Sequence, residues 1–156
     1  MQSITIDKLE NHPDLRDNVS QWFEDEWPEY YGVNGIGNAG EDVKQFSTSG
    51  TCAPFGLLAF YLGAPCGFMA LKSEPFASCP ELGPWLGAAY VQPHLRRHGI
   101  GAALVKEIEK YARLMAYPKI FCATASADSL MLRAGWLLLE EVLHQGKPIR
   151  IYEVQL

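Results

Sequence analysis

Apolar and polar positions along the chain fall into a readable succession of periods. Ser3 to Leu9 alternates, with Ile4 and Ile6 on one face, and predicts a strand. His12-Pro13-Asp14 predicts a helix start, with Asn11 or His12 as cap, proline in the first turn and an acid at the positive end of the dipole. Leu15, Val19, Trp22 and Phe23 give that helix an apolar stripe, and Pro28 is expected to end it. Residues 32–40 carry four glycines and two asparagines and read as a loop, with a short helix expected over Ala39–Phe46. Phe55–Leu62 and Cys66–Lys72 read as buried strands of a hairpin turning at Gly63-Ala64-Pro65. A loop with three prolines covers 73–84, and Trp85–Val91 is a further apolar strand closed by Pro93.

From Ile100 the apolar positions 100, 104, 108, 111 and 115 keep helical spacing over about four turns, and Pro118 stops the run. Lys106, Glu107, Glu109, Lys110 and Arg113 form its wet face, with Glu109 and Arg113 an expected i, i+4 pair. Lys119–Thr124 predicts a short strand, and Ala127–Ala134 a short helix ended by Gly135. Trp136–Leu143 and Ile149–Val154 predict a closing hairpin over residues 145–148. The order of elements is that of an α/β fold on one mixed sheet, with residues 1–156 as a single domain.

Composition narrows the function. With 48% hydrophobic and 20% charged residues, the 156-residue chain can bury a proper core. A net charge of −5 argues against a nucleic-acid partner and favours a cationic ligand. Cys52, Cys66, Cys79 and Cys122 have neither C-x-x-C spacing nor paired histidines, so they read as reduced thiols of a cytoplasmic protein, with no metal expected. Met1–Asp7 shows no signal-peptide pattern, and the longest apolar run, Phe55–Leu62, is too short to span a bilayer.

The stretch Val91-Gln-Pro-His-Leu-Arg96-Arg97-His98-Gly99-Ile100-Gly101-Ala102 carries the chemistry. A strand feeds a loop, two glycines permit close backbone approach, and an amphipathic helix begins at once. Free N–H groups and the partial positive charge of a helix start suit a phosphate, and Arg96 and Arg97 add charge-assisted donors. The residues therefore read as a pyrophosphate cradle. A glycine turn that merely lets helix and sheet pack closely is the plainer alternative. A dinucleotide fingerprint would need a third glycine and an acid on the next strand; a P-loop would need Gly-Lys-Ser/Thr. The chain has none of these.

Arg-x-x-Gly-x-Gly after a strand ending Tyr-Val-x-Pro resembles the acetyl-coenzyme A signature of GNAT N-acetyltransferases. Pro84-Trp85-Leu86, Ala134-Gly135-Trp136 and the final hairpin are similar to bacterial members. The likeness is good over 84–156 and extends to the first half in element order alone. It implies a central mixed sheet of about six to seven strands with about four helices, splayed between strands 85–91 and 119–124. It also implies acetyl-CoA as acetyl donor. Backbone groups of Tyr90 and Val91 would hold the pantetheine arm, and the N–H groups of Arg96, Arg97, His98, Gly99, Ile100, Gly101 and Ala102 the pyrophosphate. Ser126 and Ser129 are further candidates to hydrogen-bond the donor. His94 and His98 read as polar residues on the phosphate side.

Two features depart from the family pattern. The tyrosine that often serves as the thiolate's acid falls at Met131, which cannot donate a proton. Where relatives often have Pro-Asp, this chain has Ala125-Ser126. Tyr90 and Cys122 stand on the cleft strands as substitute donors. Residues 22–31 interleave four acids (Glu24, Asp25, Glu26 and Glu29) with five aromatics, in a segment that usually walls the family's acceptor site. Glu24, Glu26, Trp27, Tyr30 and Tyr31 are therefore candidates to hold an ammonium, and Glu74 and Glu81 candidates for the general base. The resemblance implies direct acetyl transfer to a primary amine of a small molecule or peptide. A sensor that binds acetyl-CoA with little catalysis is the second reading, and a nucleotide-binding regulatory domain the third. The closing hairpin also offers an edge for a homodimer.

Overall fold

The computed structural model describes residues 3–48 and 50–156 and gathers every apolar run expected to be a strand into one sheet. Its strands are β1 (Ile4–Lys8), β2 (Phe55–Tyr61), β3 (Ala64–Lys72), β4 (Trp85–Val91), β5 (Lys119–Thr124), β6 (Leu137–His144) and β7 (Lys147–Gln155). They lie in the order β1-β2-β3-β4-β5-β7-β6, all antiparallel to their neighbours except the parallel pair β4–β5. The connections carry helices α1 (Arg16–Glu26), α2 (Pro28–Tyr31), α3 (Ala39–Phe46), α4 (Ile100–Leu114) and α5 (Asp128–Arg133).

Both hairpins turn more tightly than expected. Leu62-Gly63 (φ 51° and 84°) joins β2 to β3, and Gln145-Gly146 (φ 54° and 78°) joins β6 to β7. Two successive left-handed residues match the right-handed twist of the strands they connect. The strands accordingly extend into what read as turn, and Ala64 and Pro65 belong to β3.

The first helix starts later than its proline suggested. Leu9–Asn11 and Pro13–Leu15 are single 3-10 turns, and α1 begins only at Arg16. Asn11 and His12 do not cap it, because both side chains reach back to the Asp7 carboxylate at 2.9 Å. Burial opposes ionisation of Asp7, but these bonds and the Lys8 N–H hold its pKa below the ordinary value. Pro28 does not simply end α1: it opens α2, where its missing N–H costs nothing. The expected Glu109–Arg113 pair gives way to a longer-range contact, in which the Trp136 indole N–H donates to Glu109 Oε2 at 2.9 Å.

The core lies on both faces of the sheet. Leu57, Met69, Leu86, Ile120 and Cys122 meet α4 and α5 through Leu104, Ile108 and Met131. Leu58, Phe68, Ala70 and Tyr90 meet α1 and α3 through Val19, Trp22, Phe23, Val43 and Phe46. Strands covered on both sides need apolar residues at consecutive positions, which is why β2 and β3 read as unbroken hydrophobic runs. No helix among the described residues is long and apolar enough to cross a membrane.

Candidate active site

The parallel pairing of β4 with β5 is short. Trp85 pairs with Phe121 and Leu86 with Cys122, and beyond those two positions the strands part. A cavity of about 320 Å³ opens between them, lined among others by Leu86, Ala88, Cys122, Ser126, Leu130 and Met131. On the β3 side β4 carries a bulge: Phe68 pairs with Tyr90 and Ala70 with Gly87, so Ala88 and Ala89 together oppose Met69. Ala88 has a left-handed φ of 52°, which frees this stretch from the ladder and turns it toward the cleft.

The loop after β4 leads straight to α4. Arg97 (φ 66°) and Gly99 (φ 85°) are both left-handed. Gly99 is the N-cap of α4 and offers no capping side chain. The first intrahelical bond runs from Ala103 N–H to Gly99 O at 3.0 Å, so the amides of Ile100, Gly101 and Ala102 stay open for a ligand. A Cβ on Gly99 would meet nothing within 4 Å; its backbone angle, not crowding, demands glycine. Gly101 has no such angle, and a Cβ there would lie 3.6 Å from Leu130, an ordinary contact. Neither strain nor packing within the protein requires that second glycine.

Arg96 braces this loop. Its Nε donates to Val91 O at 2.8 Å, its Nη2 reaches Glu26 Oε1 at 3.2 Å, and its guanidinium lies 5.8 Å from the Tyr90 ring centre. Nδ1 of His98 lies 2.9 Å from Arg96 O. The Tyr90 ring stacks on Trp22 at 5.1 Å in the core beneath α1 and does not line the cleft.

A second cavity, of about 340 Å³, adjoins the first and is lined by Trp27, Tyr30, Tyr31, Asp42, Phe46, Lys72, Glu74 and Ala88. Trp27 and Ala88 border both. The aromatics are fixed from behind, since Phe23 packs on Trp27 and on Tyr31 at 5.5 Å each. Gly37 lets the following loop close over Tyr30, because a Cβ there would come within 2.3 Å of the Tyr30 ring. Tyr31 donates its hydroxyl to Asp42 Oδ2 at 2.6 Å. Burial pushes its pKa well up, and Asp42 and the nearby Glu74 push the same way, so the phenol stays protonated.

The acids around this site sort differently from their order in the sequence. Trp22 and Phe23 are buried, Trp27 and Tyr31 half-buried and Tyr30 exposed, while Glu24 and Glu29 are exposed, Asp25 accepts from Gln21 at 2.9 Å, and Glu26 pairs with Arg96 on the lining of the first cavity. The carboxylates in the aromatic cavity belong to Asp42 and Glu74. Glu81 lies in the exposed 73–84 loop near Cys79 and lines none of these cavities. Ser129 is exposed on α5 outside the cleft lining, where Ser126 does stand. Asp42 and Lys72 were missed by sequence reading. The signal for Asp42 was its place one turn before Phe46 on α3.

The acetyltransferase (GNAT) family profile matches residues 17–136, most of the chain. The chain belongs to that family. Solved GNAT structures superpose along nearly its whole length. An aminoglycoside 6'-N-acetyltransferase complexed with coenzyme A gives a TM-score of 0.78 at 17% identity, covering 97% of this chain and 96% of the other. The aminoglycoside 6'-N-acetyltransferase from Enterococcus faecium gives 0.76 at 18%, covering 97% and 96%. The yncA protein of Salmonella typhimurium, solved with its cofactor acetyl-CoA, gives 0.73 at 12%, covering 98% and 94%. At these identities the likeness is one of fold. No curated protein sequence matches the chain.

As a GNAT protein the chain is an N-acetyltransferase, and acetyl-CoA is the cofactor of its class. The open amides of α4 and the splayed strands fit such a donor. Met131, the position to which the resemblance assigns the family's tyrosine, is buried and lines the cleft. Of the two substitute proton donors expected from the sequence, only Cys122 faces the cleft. Burial pushes its thiol up to about 12, with Asp128 adding to the shift.

Proposed function

We infer that the chain transfers an acetyl group from acetyl-CoA directly to a primary amine of a small molecule or peptide, and that this acceptor is cationic. The observation that carries the reading is the meeting of two cavities at Ala88 and Trp27: a donor cleft behind β4, and an aromatic, acid-bearing cavity in front of it. When bound, acetyl-CoA supplies an acyl group already activated as a thioester. The protein's share is to hold, orient and deprotonate. Ile100, Gly101 and Ala102 hold the pyrophosphate on their amides, with Arg97 nearby. Trp27, Tyr30 and Tyr31 pack their ring faces around the acceptor's cationic end, and Asp42 and Glu74 supply the negative charge. Glu74 is the base that removes the amine's proton, directly or through one water.

Leu137, Leu138, Leu139 and Leu143 are exposed along the edge strand β6, which supports pairing with a second copy of the chain. Four unpaired cysteines, three of them buried, suit a reducing cytoplasm. The test is release of coenzyme A thiol over a panel of amines, run beside calorimetric binding of acetyl-CoA. Turnover on cationic amines, lost in Glu74→Gln with donor binding intact, is the expected result. Donor binding without turnover on any amine would favour the sensor reading, and exclusive use of anionic or neutral amines would refute the cationic acceptor.

A further inference from the structure

Beyond Cys122 the β5 side of the donor cleft has lost its partner on β4, so it must be held from the other side. Strand β7 does this, pairing Ala123 with Ile151 and Thr124 with Arg150. The Arg150 side chain then reaches over the turn that follows. Its Nη2 donates to Ala125 O at 3.0 Å and to Asp128 Oδ2 at 2.8 Å, and its Nε donates to Asp128 Oδ1 at 2.5 Å. Tyr152, two residues along the same strand, donates its hydroxyl to the same Oδ1 at 2.5 Å. Inside the turn, Thr124 Oγ1 accepts from the N–H groups of Ser126 at 3.1 Å and Ala127 at 2.8 Å. The carbonyl of residue 125 and the amides of 126 and 127 are thus all engaged, and these three residues line the cleft beside Leu130 and Met131.

We propose that Arg150 is a positioning residue for the acyl donor: by clamping Ala125 O and Asp128 together it fixes the β5–α5 wall and hence the width of the cleft. The proposal rests on the acetyltransferase reading. Arg150 and Tyr152 stand on β7, beyond the segment that the family profile matches. An arginine is required because its planar fork serves a carbonyl and a carboxylate at once, whereas a lysine ammonium at that distance serves one well. The pair is partly exposed, with about 30% of the Arg150 side chain and 28% of Asp128 accessible. Exposed ion pairs contribute little to global stability. Loss of the clamp should therefore register in donor binding and not in the melting temperature. Hydrogen bonds from Arg150 and Tyr152 hold the Asp128 carboxyl down to about 2, so the clamp stays charged at any practical assay pH.

The experiment compares wild type, Arg150→Gln, Arg150→Lys, Asp128→Asn and the Arg150→Gln/Asp128→Asn double variant. It measures acetyl-CoA Kd by calorimetry, KM and kcat, Tm, and amide exchange at residues 126 and 127. Arg150→Gln should raise Kd and KM for acetyl-CoA about tenfold, the size of one charge-assisted hydrogen bond. Its kcat and acceptor KM should change little, and the two amides should exchange faster. Arg150→Lys should recover part of the affinity, and the double variant should be no worse than the worse single one. Unchanged Kd in folded Arg150→Gln overturns the proposal, as does a loss that follows Tm and strikes both substrates alike. Should Arg150→Gln fail to fold, Arg150→Lys decides on the same criteria. A wild-type protein that does not bind acetyl-CoA overturns the acetyltransferase reading itself; a wild type that binds while its variants match it overturns only the clamp.

Discussion

Gly101→Ala separates what the fold asks of this position from what a ligand asks. The new methyl would stand 3.6 Å from Leu130, in ordinary contact, on a residue whose φ is already helical. Alanine is favoured over glycine inside a helix by about 1 kcal/mol, and somewhat less in the first turn. The apo protein should gain up to about 1 kcal/mol and melt about 2–4 °C higher, as expected for a domain of this size. Donor binding should move the other way. Leu130 lines the cleft, so the methyl narrows the passage between α4 and α5 beside the open amides. Holding a phosphate oxygen off one such amide forfeits a charge-assisted hydrogen bond, about 1.5–3 kcal/mol or roughly ten- to a hundredfold in Kd. Gly99→Ala is the control. Its left-handed φ of 85° costs a side chain about 1–2 kcal/mol, so stability and affinity should fall together. Melting curves of the apo proteins and calorimetric titration with acetyl-CoA supply both numbers. A stabilised Gly101→Ala that binds acetyl-CoA as tightly as wild type would refute the placement of the pyrophosphate on α4.

Four further outcomes follow. Met131→Leu should keep turnover within a few-fold, and Met131→Tyr, if it packs, should raise it toward the about 10²-fold that a general acid contributes; collapse of Met131→Leu in a folded, donor-binding protein would contradict the reading of this residue as lining. Asp42→Asn should raise the KM of a cationic amine about tenfold with acetyl-CoA affinity unchanged, checked by initial rates and calorimetry. Iodoacetamide at about pH 8 should label exposed Cys52 and spare Cys66, Cys79 and Cys122, whose buried thiols all have raised pKa values, as peptide mass spectrometry can read. For Cys122 the sign is fixed: an unfolded thiol near 9.0 ionises before the folded one near 12, so its stabilising contribution, full below about 9, is lost as pH rises toward 12. Cys122→Ala should lose less Tm than wild type on that climb.

The features legible in the sequence were those written in consecutive residues. The bounds of β4, β5 and α3 agree with the apolar runs and periods, and the glycine loop proposed to hold the pyrophosphate is contiguous from strand to helix. What escaped depends on partners distant in sequence. Asn11 and His12 suited a helix cap until Asp7, on the strand before, claimed both. Glu26 was expected beside an acceptor, and Arg96, seventy positions on, pairs with it on the lining of the cavity between β4 and β5. Asp42 entered the aromatic cavity through Tyr31, and Arg150 reached the β5–α5 wall through Asp128. Local propensity is blind to such pairs, because the fold alone decides which carboxylate a given donor meets.

The bulge at Ala88 divides the chain's labour as well as its cavities. On the proposed assignment, the acceptor surface ahead of it is built from Trp27 to Phe46 together with Lys72 and Glu74, while the donor surface behind it is built mostly from Leu86 to Met131. The two surfaces draw on largely separate stretches of sequence joined at one alanine and one tryptophan. Substitution in the early segment can therefore redirect what is acetylated while the machinery for the acetyl donor stands still.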